Sequence, residues 1–134
     1  MKNTAEAPPF SIGRVAVVDD DPRAAEMLHT FFRLMDVDSV LIPPVEDAAE
    51  LTAATICRER VDAVLLDFDL PNLRALDIVT HVRLLAPALP IVLVTEGPDN
   101  TLPPIEGVLL ARRPSESFEE LLQLMEIVLA ALET

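Results

Sequence analysis

Five short apolar runs alternate along the chain with segments whose apolar residues recur at helical spacing. The runs that predict strands are residues 14–18, 39–42, 61–67, 91–95 and 108–111. The segments that predict helices are residues 22–35, 46–60, 76–85 and 117–132. Strands that are apolar throughout are covered on both faces, which is typical of parallel sheets with helices on each side. The chain is therefore expected to form a doubly wound α/β domain with five parallel strands.

The connection between the fourth and fifth strands is short for a helical crossover. Residues 96–107 are close to the minimum length for such a connection, and they include adjacent prolines at 103 and 104. Two adjacent prolines remove two amide donors and clash with a helix interior. We therefore expect a loop or a single turn there, with the fourth helix short or missing.

Composition and charge exclude several classes of function. The chain has 10 Lys and Arg residues against 23 Asp and Glu residues, a formal net charge of −13. This balance opposes binding to nucleic acid and to anionic membranes, so we expect neither partner. No apolar run approaches the roughly 20 residues of a membrane span, and residues 1–13 lack the basic and then apolar pattern of a signal peptide, so we expect neither feature. We expect a cytoplasmic protein with a flexible N-terminal tail at 1–13 and one domain at 14–134.

Polar residues follow the predicted strands at one edge of the expected sheet, where all carboxyl ends of parallel strands meet. The residues at these ends are Asp19, Asp20, Asp67, Thr95, Arg112 and Arg113. Carboxylates a few ångströms apart repel by about 4 kcal/mol per pair at an effective dielectric of about 20. They must share protons or bind a cation, and oxygen ligands favour a hydrated Mg²⁺. The pattern predicts a site that holds metal and phosphate together.

Each of these motifs has a plainer interpretation when it is taken alone. The aspartates at 19–21 are also suited to capping the first helix, and Asp67 is suited to beginning a turn with Asp69. Their coincidence at one sheet edge favours the metal and phosphate site.

The ordered set of motifs resembles the response-regulator receiver domain of two-component signalling. The segments that carry the resemblance are V-V-D-D-D-P at 17–22, L-L-D-F-D-L-P at 65–71, L-V-T at 93–95 and R-P at 113–114. The resemblance covers residues 14–132. It implies the flavodoxin-like strand order 2-1-3-4-5 and a single-domain, phosphorylated signalling protein that changes its protein partners.

The resemblance also implies roles for individual residues. Asp67 would accept a phosphoryl group from a histidine kinase or a histidine phosphotransfer protein. Asp19 and Asp20 would hold Mg²⁺ together with Asp67 and the backbone carbonyl of Asp69. Thr95 would hydrogen-bond a phosphoryl oxygen and draw its loop inward. Such a protein is not an enzyme beyond its own phosphorylation and dephosphorylation.

Several positions depart from the family pattern. Arg113 replaces the lysine that pairs with the acyl phosphate, although a guanidinium can still make that pair. Leu110 replaces the aromatic switch residue, and Arg74 and Ala75 replace an Asp-Gly pair whose glycine usually supplies positive φ. We predict that metal binding and phosphorylation are retained and that signal output differs. A pseudo-receiver, which binds partners without phosphorylation, is the alternative.

The last predicted helix, residues 117–132, carries two apolar stripes. The predicted core face consists of Phe118, Leu121, Leu122, Met125, Val128, Leu129 and Leu132. The second stripe consists of Leu124, Ile127 and Ala131. Two interpretations stay open for the second stripe: burial under the proline loop, or a surface for a homodimer or another partner.

A phosphatase is the remaining alternative. Residues 65–69 look like the D-x-D nucleophile motif of haloacid-dehalogenase-like phosphatases. Those enzymes carry the motif on their first strand and need a downstream lysine and a later acidic pair. The single lysine of this chain is Lys2, so we expect no such activity.

Overall fold

Five strands and four helices make up the part of the chain that the structure describes. The structure is a computed structural model, and it describes residues 13–71, 73–96, 105–115 and 117–133. The strands are β1 (Arg14–Val18), β2 (Asp38–Ile42), β3 (Ala63–Asp67), β4 (Ile91–Thr95) and β5 (Val108–Arg112). The helices are α1 (Pro22–Leu34), α2 (Ala49–Arg58), α3 (Ala75–Leu85) and α4 (Phe118–Leu132). Every predicted strand and helix is present, with ends shifted by three residues at most.

The strands form one parallel sheet with the order β2-β1-β3-β4-β5, so the predicted doubly wound fold and strand order are confirmed. The register sets the carboxyl ends side by side. Val18 lies opposite Leu66, and Asp67 lies opposite Val94. Thr95 in turn lies opposite Arg112. The residues that follow β1, β3, β4 and β5 therefore emerge at one edge of the sheet.

Alternate side chains of the central strands point into two separate hydrophobic layers. Val17 and Leu65 lie in the layer covered by α1 and α4. Val18 and Leu66 lie in the layer covered by α2 and α3. All four side chains are at most 2% exposed, which explains why these strands are apolar throughout. The edge strand β5 is less completely covered, and Leu109 in it is 43% exposed.

The arginine Arg83 of α3 holds the connections that lead into β4 and β5. Its Nη1 donates to the carbonyl of Leu89 at 2.6 Å, and its Nη2 donates to the carbonyl of Gly107 at 2.7 Å. Gly107 has a φ of 77°, and a Cβ there would lie 2.6 Å from the guanidinium. The described residues between β4 and β5 form no helix. The predicted proline loop spans residues 96–107, and its central part, residues 97–104, lies outside the described residues.

The face of α4 that packs on the sheet differs from the predicted one. Its buried residues are Leu121, Leu124, Met125, Val128 and Ala131. Its half-buried apolar residues are Leu122, Ile127, Leu129 and Leu132. Phe118, predicted to face the core, is 66% exposed. Apolar residues occupy most of the circumference of this helix, so their periodicity does not determine which part meets the sheet. Leu124 and Ala131 of the second stripe are buried in the hydrophobic layer between α4 and the sheet, so burial is the interpretation that the structure supports for these two residues. A partner surface elsewhere on this helix stays a prediction.

Gly13 is the first described residue, and its carbonyl accepts a hydrogen bond of 2.9 Å from the backbone N–H of Asp38. The rest of the predicted tail, residues 1–12, lies outside the described residues. Within the described ranges, no helix has the length and apolarity needed to cross a membrane.

Candidate functional site

Three carboxylates converge at the carboxyl edge of the sheet. Asp19 and Asp20 follow β1, and Asp67 is the last residue of β3. Each offers an oxygen, and these oxygens all lie within 4.8 Å of one another. Asp67 is 4% exposed and Asp19 is 9% exposed, whereas Asp20 is exposed to solvent. Two carboxylates of the cluster are thus buried, and the third faces solvent.

The two buried carboxylates are oriented by the same local hydrogen bond. Asp19 Oδ1 accepts from the backbone N–H of Asp21 at 2.9 Å, and Asp67 Oδ1 accepts from that of Asp69 at 2.9 Å. Short polar side chains commonly bond to an amide two residues further on, which turns the chain away from its strand. Each aspartate therefore leans over the sheet edge at the point where its strand ends.

Arg113, the residue after β5, extends its guanidinium into this cluster. Its backbone N–H donates to the carbonyl of Thr95 at 2.9 Å, which fixes the end of β5 against the end of β4. Its Nη2 donates to Asp67 Oδ1, and its Nη1 lies 3.5 Å from Asp19 Oδ2. Its Nε lies 3.8 Å from Glu96 Oε2. One side chain thereby links residues at the ends of β1, β3 and β4.

Burial leaves the two inner carboxylates short of compensation. Burial raises the pKa of Asp67 above its usual range, although the amide of Asp69 and the guanidinium of Arg113 oppose the rise. Burial likewise raises the pKa of Asp19 against the opposing effects of the Asp21 amide and Arg113. Burial alone would lower the pKa of Arg113, but the neighbouring Asp67, Asp19 and Glu96 outweigh it and raise that pKa. The site therefore favours additional positive charge.

The donor set fits a hard divalent cation. Asp19, Asp20 and Asp67 offer carboxylate oxygens, which are the ligands that Mg²⁺ and Ca²⁺ prefer. The exposure of Asp20 leaves room for the water ligands that Mg²⁺ usually keeps. Asp69 has an exposed carboxylate outside this cluster, and its Oδ2 accepts from the backbone N–H of Glu96 at 3.2 Å. The predicted role of the Asp69 carbonyl as a ligand stays a prediction.

The remaining residues singled out in the sequence have defined places. Thr95 is the half-buried last residue of β4, one strand away from Asp67. Leu110 is half-buried against the layer of α2 and α3. Arg74 precedes α3 with a φ of −80°, and Ala75 is the first residue of that helix. The loop therefore enters α3 without a left-handed residue at either position, as the missing glycine predicts.

Glu96 is the residue that sequence reasoning missed. It lies directly after Thr95, its backbone N–H donates to Asp69, and its carboxylate faces Arg113. The criterion that selected the other site residues, a polar side chain following a strand at the carboxyl edge, applies to Glu96 as well. Its carboxylate completes the ring of negative charge around the guanidinium.

The sheet has the order 2-1-3-4-5, with carboxylates at the carboxyl ends of β1 and β3 and the guanidinium of Arg113 after β5. These features define a doubly wound domain with an acidic site at the point where the strand order reverses. The response regulator receiver domain family matches residues 15–112. The chain belongs to this family.

Two curated relatives come from mycobacteria. The probable transcriptional regulatory protein TcrX of Mycobacterium tuberculosis is 37% identical over 81 residues, which are 60% of this chain and 33% of TcrX. The DNA-binding response regulator MtrA of Mycolicibacterium smegmatis is 39% identical over 87 residues, which are 64% of this chain and 36% of MtrA. The chain thus spans about a third of the length of each relative.

Solved structures of receiver domains share the fold. A CheY-like receiver domain protein from Methanospirillum hungatei matches with a TM-score of 0.67 at 19% identity, over 92% of this chain and 98% of that one. The apo receiver domain of nitrogen regulatory protein C matches with a TM-score of 0.70 at 17% identity, over 92% and 97%. A complex of the histidine kinase ThkA with the response regulator TrrA matches with a TM-score of 0.63 at 19% identity, over 86% and 97%. At these identities the similarity concerns the fold.

Proposed function

We propose that this receiver domain is a magnesium-dependent phosphoacceptor that is phosphorylated on Asp67 and then changes its protein partners. The observation that supports this most directly is the setting of Asp67. Its carboxylate is buried at the end of β3, is held on Oδ1 by two donors, and lies beside Asp19 and Asp20. A fixed carboxylate in a cation-binding cluster suits nucleophilic attack on a phosphoryl group.

The proposed nucleophile is the Oδ2 atom of Asp67. The amide of Asp69 and the guanidinium of Arg113 both donate to Oδ1, so neither bond occupies Oδ2. Oδ2 attacks the phosphorus of a phosphohistidine, the new O–P bond forms as the N–P bond breaks, and the electron pair stays on the imidazole nitrogen. That nitrogen takes up a proton from solvent, and Asp67 becomes an acyl phosphate.

The other site residues support this step by charge and position. Mg²⁺ would be held by Asp19, Asp20 and Asp67, and when bound it neutralises charge on the phosphoryl group. Arg113 lies directly on Asp67 and would donate to a phosphoryl oxygen there. Thr95, at the end of the neighbouring strand, would hydrogen-bond a second one.

The proposed phosphodonor is a histidine kinase or a histidine phosphotransfer protein. The complex of ThkA with TrrA, a protein of the same fold, supports a kinase as the partner. A cytoplasmic location belongs to the same proposal, because such donors act there.

MtrA is named as DNA-binding, and 36% of its length is matched. From the net charge of −13 we propose that the receiver domain does not itself bind nucleic acid. We also propose no enzymatic activity beyond its own phosphorylation and dephosphorylation.

Phosphorylation of the isolated domain tests the proposal. We expect incubation with acetyl phosphate and Mg²⁺ to add one phosphoryl group to the wild type, read as intact mass, and Asp67→Asn to abolish the addition. Asp36→Asn is a matched control, because Asp36 is exposed after the opposite end of α1 and has a φ of 62°, which Asn tolerates. A wild type that stays unmodified with acetyl phosphate and with a phosphorylated kinase would contradict the proposal.

A pseudo-receiver is the second candidate, and one contact favours it. The guanidinium of Arg113 already occupies Oδ1 of Asp67 and reaches Asp19, so the pocket is partly neutralised without phosphate. A protein of this kind would bind its partner equally well before and after treatment with beryllofluoride and Mg²⁺. An NMR spectrum that changes on this treatment, in the wild type but not in Asp67→Asn, separates the phosphoacceptor from the pseudo-receiver.

A further inference from the structure

The guanidinium of Arg113 faces three carboxylates with its three nitrogens. Nη2 contacts Asp67, Nη1 lies 3.5 Å from Asp19 Oδ2, and Nε lies 3.8 Å from Glu96 Oε2. Within the described part of the chain, Nε is buried and lacks a hydrogen-bond partner. The guanidinium is therefore hydrogen-bonded to Asp67 and forms a longer ion pair with Asp19. Its distance to Glu96 is beyond that of a hydrogen bond.

The backbones on either side of this contact are fixed. The N–H of Arg113 donates to the carbonyl of Thr95, and the N–H of Glu96 donates to Asp69 Oδ2. The side chain of Glu96 is 71% exposed, whereas that of Arg113 is 24% exposed. A shift of the guanidinium towards Glu96 therefore needs side-chain rotation alone. The exposed side chain of Glu96 has room to rotate towards the guanidinium.

The position of the guanidinium conflicts with that of a metal ion. Asp19 and Asp67 supply two of the three oxygens that converge within 4.8 Å, and Arg113 contacts both residues. A divalent cation bound to those oxygens would lie close to the guanidinium, and like charges at such separations repel strongly in a partly buried site. Both cations cannot keep their full contacts with the same pair of carboxylates.

We propose that Arg113 is a built-in counter-ion that holds the metal-free site, and that Glu96 accepts the guanidinium when a divalent cation binds. Arg113 leaves Asp19 on metal binding, and its Nε and Nη atoms pair with the carboxylate of Glu96. Glu96 is thus a positioning residue that acts on metal affinity through Arg113. This inference deepens the proposed function, because it rests on a cation site made by Asp19, Asp20 and Asp67.

Magnesium titrations of single variants test the counter-ion, with backbone NMR shifts as the readout. We expect Arg113→Gln to raise the Mg²⁺ affinity by about tenfold or more, because the opposing charge is gone. The Mg²⁺ affinity of Arg113→Lys should lie between those of the wild type and Arg113→Gln, since lysine keeps the charge but lacks the planar guanidinium that spans two carboxylates. Arg112→Gln is the matched control: it removes the same charge from an exposed neighbouring residue, and it should change the affinity less than threefold.

A double-mutant cycle tests the role of Glu96. Glu96→Gln should lower the Mg²⁺ affinity of the wild type several-fold, because the guanidinium loses the group that receives it. In the Arg113→Gln background the same change should have little effect, since no guanidinium has to be received. An equal effect in both backgrounds would show that Glu96 acts on the metal by its own charge, and would overturn its assigned role.

The outcomes separate this inference from the proposed function. If the wild type and Arg113→Gln bind Mg²⁺ with equal affinity, the counter-ion is refuted while the phosphoacceptor stands. If neither binds Mg²⁺ at millimolar concentration, the cation site itself fails and both proposals fall. Thermal unfolding in EDTA adds a readout that requires no metal binding: the melting temperature of Arg113→Gln should be lower than that of the wild type. Mg²⁺ should then raise the melting temperature of Arg113→Gln by more than it raises that of the wild type. A variant with an unchanged melting temperature in EDTA would count against the counter-ion.

Discussion

At the scale of single residues, the chain places two carboxylates where water cannot solvate them well. Asp19 and Asp67 occur in sequence as plain strand-end aspartates, and their meeting at one sheet edge follows from the predicted parallel sheet. What sequence reasoning could not supply is the reach of Arg113 to both of them. A rotamer of a long side chain depends on neighbours such as Glu96, which come together only in the folded protein.

Neutralising Asp19 should stabilise the metal-free protein. Burial raises the pKa of Asp19 above its ordinary value of 3.8, so the native state binds this proton more tightly than the unfolded state does. As pH rises from 3.8 through the raised native pKa, the native state loses stability, and the loss persists at neutral pH. Asp19→Asn keeps an oxygen for the amide of Asp21 and removes the charge. We expect its melting temperature in EDTA to increase by a few degrees.

Circular dichroism melts at about pH 4 and about pH 7.5 check this prediction. The difference between Asp19→Asn and the wild type should be smaller at the lower pH, and Mg²⁺ should stabilise the wild type but not the variant. Asp36→Asn, an exposed change of the same kind, serves as control. A variant that melts below the wild type in EDTA at the higher pH would show that the pair with Arg113 outweighs burial.

At the scale of elements, α4 shows the limit of periodicity most clearly. The sequence predicts the extent of this helix to within a residue but not its buried face, because apolar residues surround most of it. The sheet decides the matter: Leu124 is 3% exposed, while Phe118 lies at the first turn and packs edge-to-face on Phe31 with ring centroids 5.9 Å apart.

Two alanine variants distinguish the predicted face of α4 from the observed one. Leu124→Ala should lower the free energy of unfolding by about 2–5 kcal/mol, as is usual for a buried leucine. Phe118→Ala should cost about 1 kcal/mol, although it deletes a larger side chain, because the ring is mostly exposed and loses chiefly its aromatic pair. Urea unfolding followed by circular dichroism measures both. The opposite order would restore the face predicted from the sequence.

The connections into β4 and β5 depend on Arg83 of α3. Its guanidinium donates to the carbonyls of Leu89 and Gly107, which join β4 and β5 to the rest of the fold. Arg83→Met keeps the aliphatic length and removes both hydrogen bonds, so we expect a loss of about 1–3 kcal/mol in the free energy of unfolding. Urea unfolding measures it, with the exposed Arg33→Met in the last turn of α1 as control. Equal midpoints for the two variants would show that water replaces the arginine at no cost.

At the scale of the whole molecule, the order of apolar runs is sufficient to predict the architecture. The central strands β1, β3 and β4 are apolar because helices cover both of their faces, and this is the pattern that identifies a doubly wound sheet. The strand ends then predict which residues share an edge. The contacts between those residues are set by side-chain rotamers and by local turns such as the one at Asp67, and these the linear pattern does not encode.

The two hydrophobic layers have one consequence for how the molecule responds as a unit. β1 and β3 send neighbouring side chains to opposite layers, so each strand belongs to the packing of both pairs of helices. Removing either pair of helices would expose one whole face of the same strands to water. The two hydrophobic layers are therefore expected to be lost together. Unfolding should accordingly be a single cooperative event, and a strain applied at the strand ends should be felt on both sides of the sheet at once.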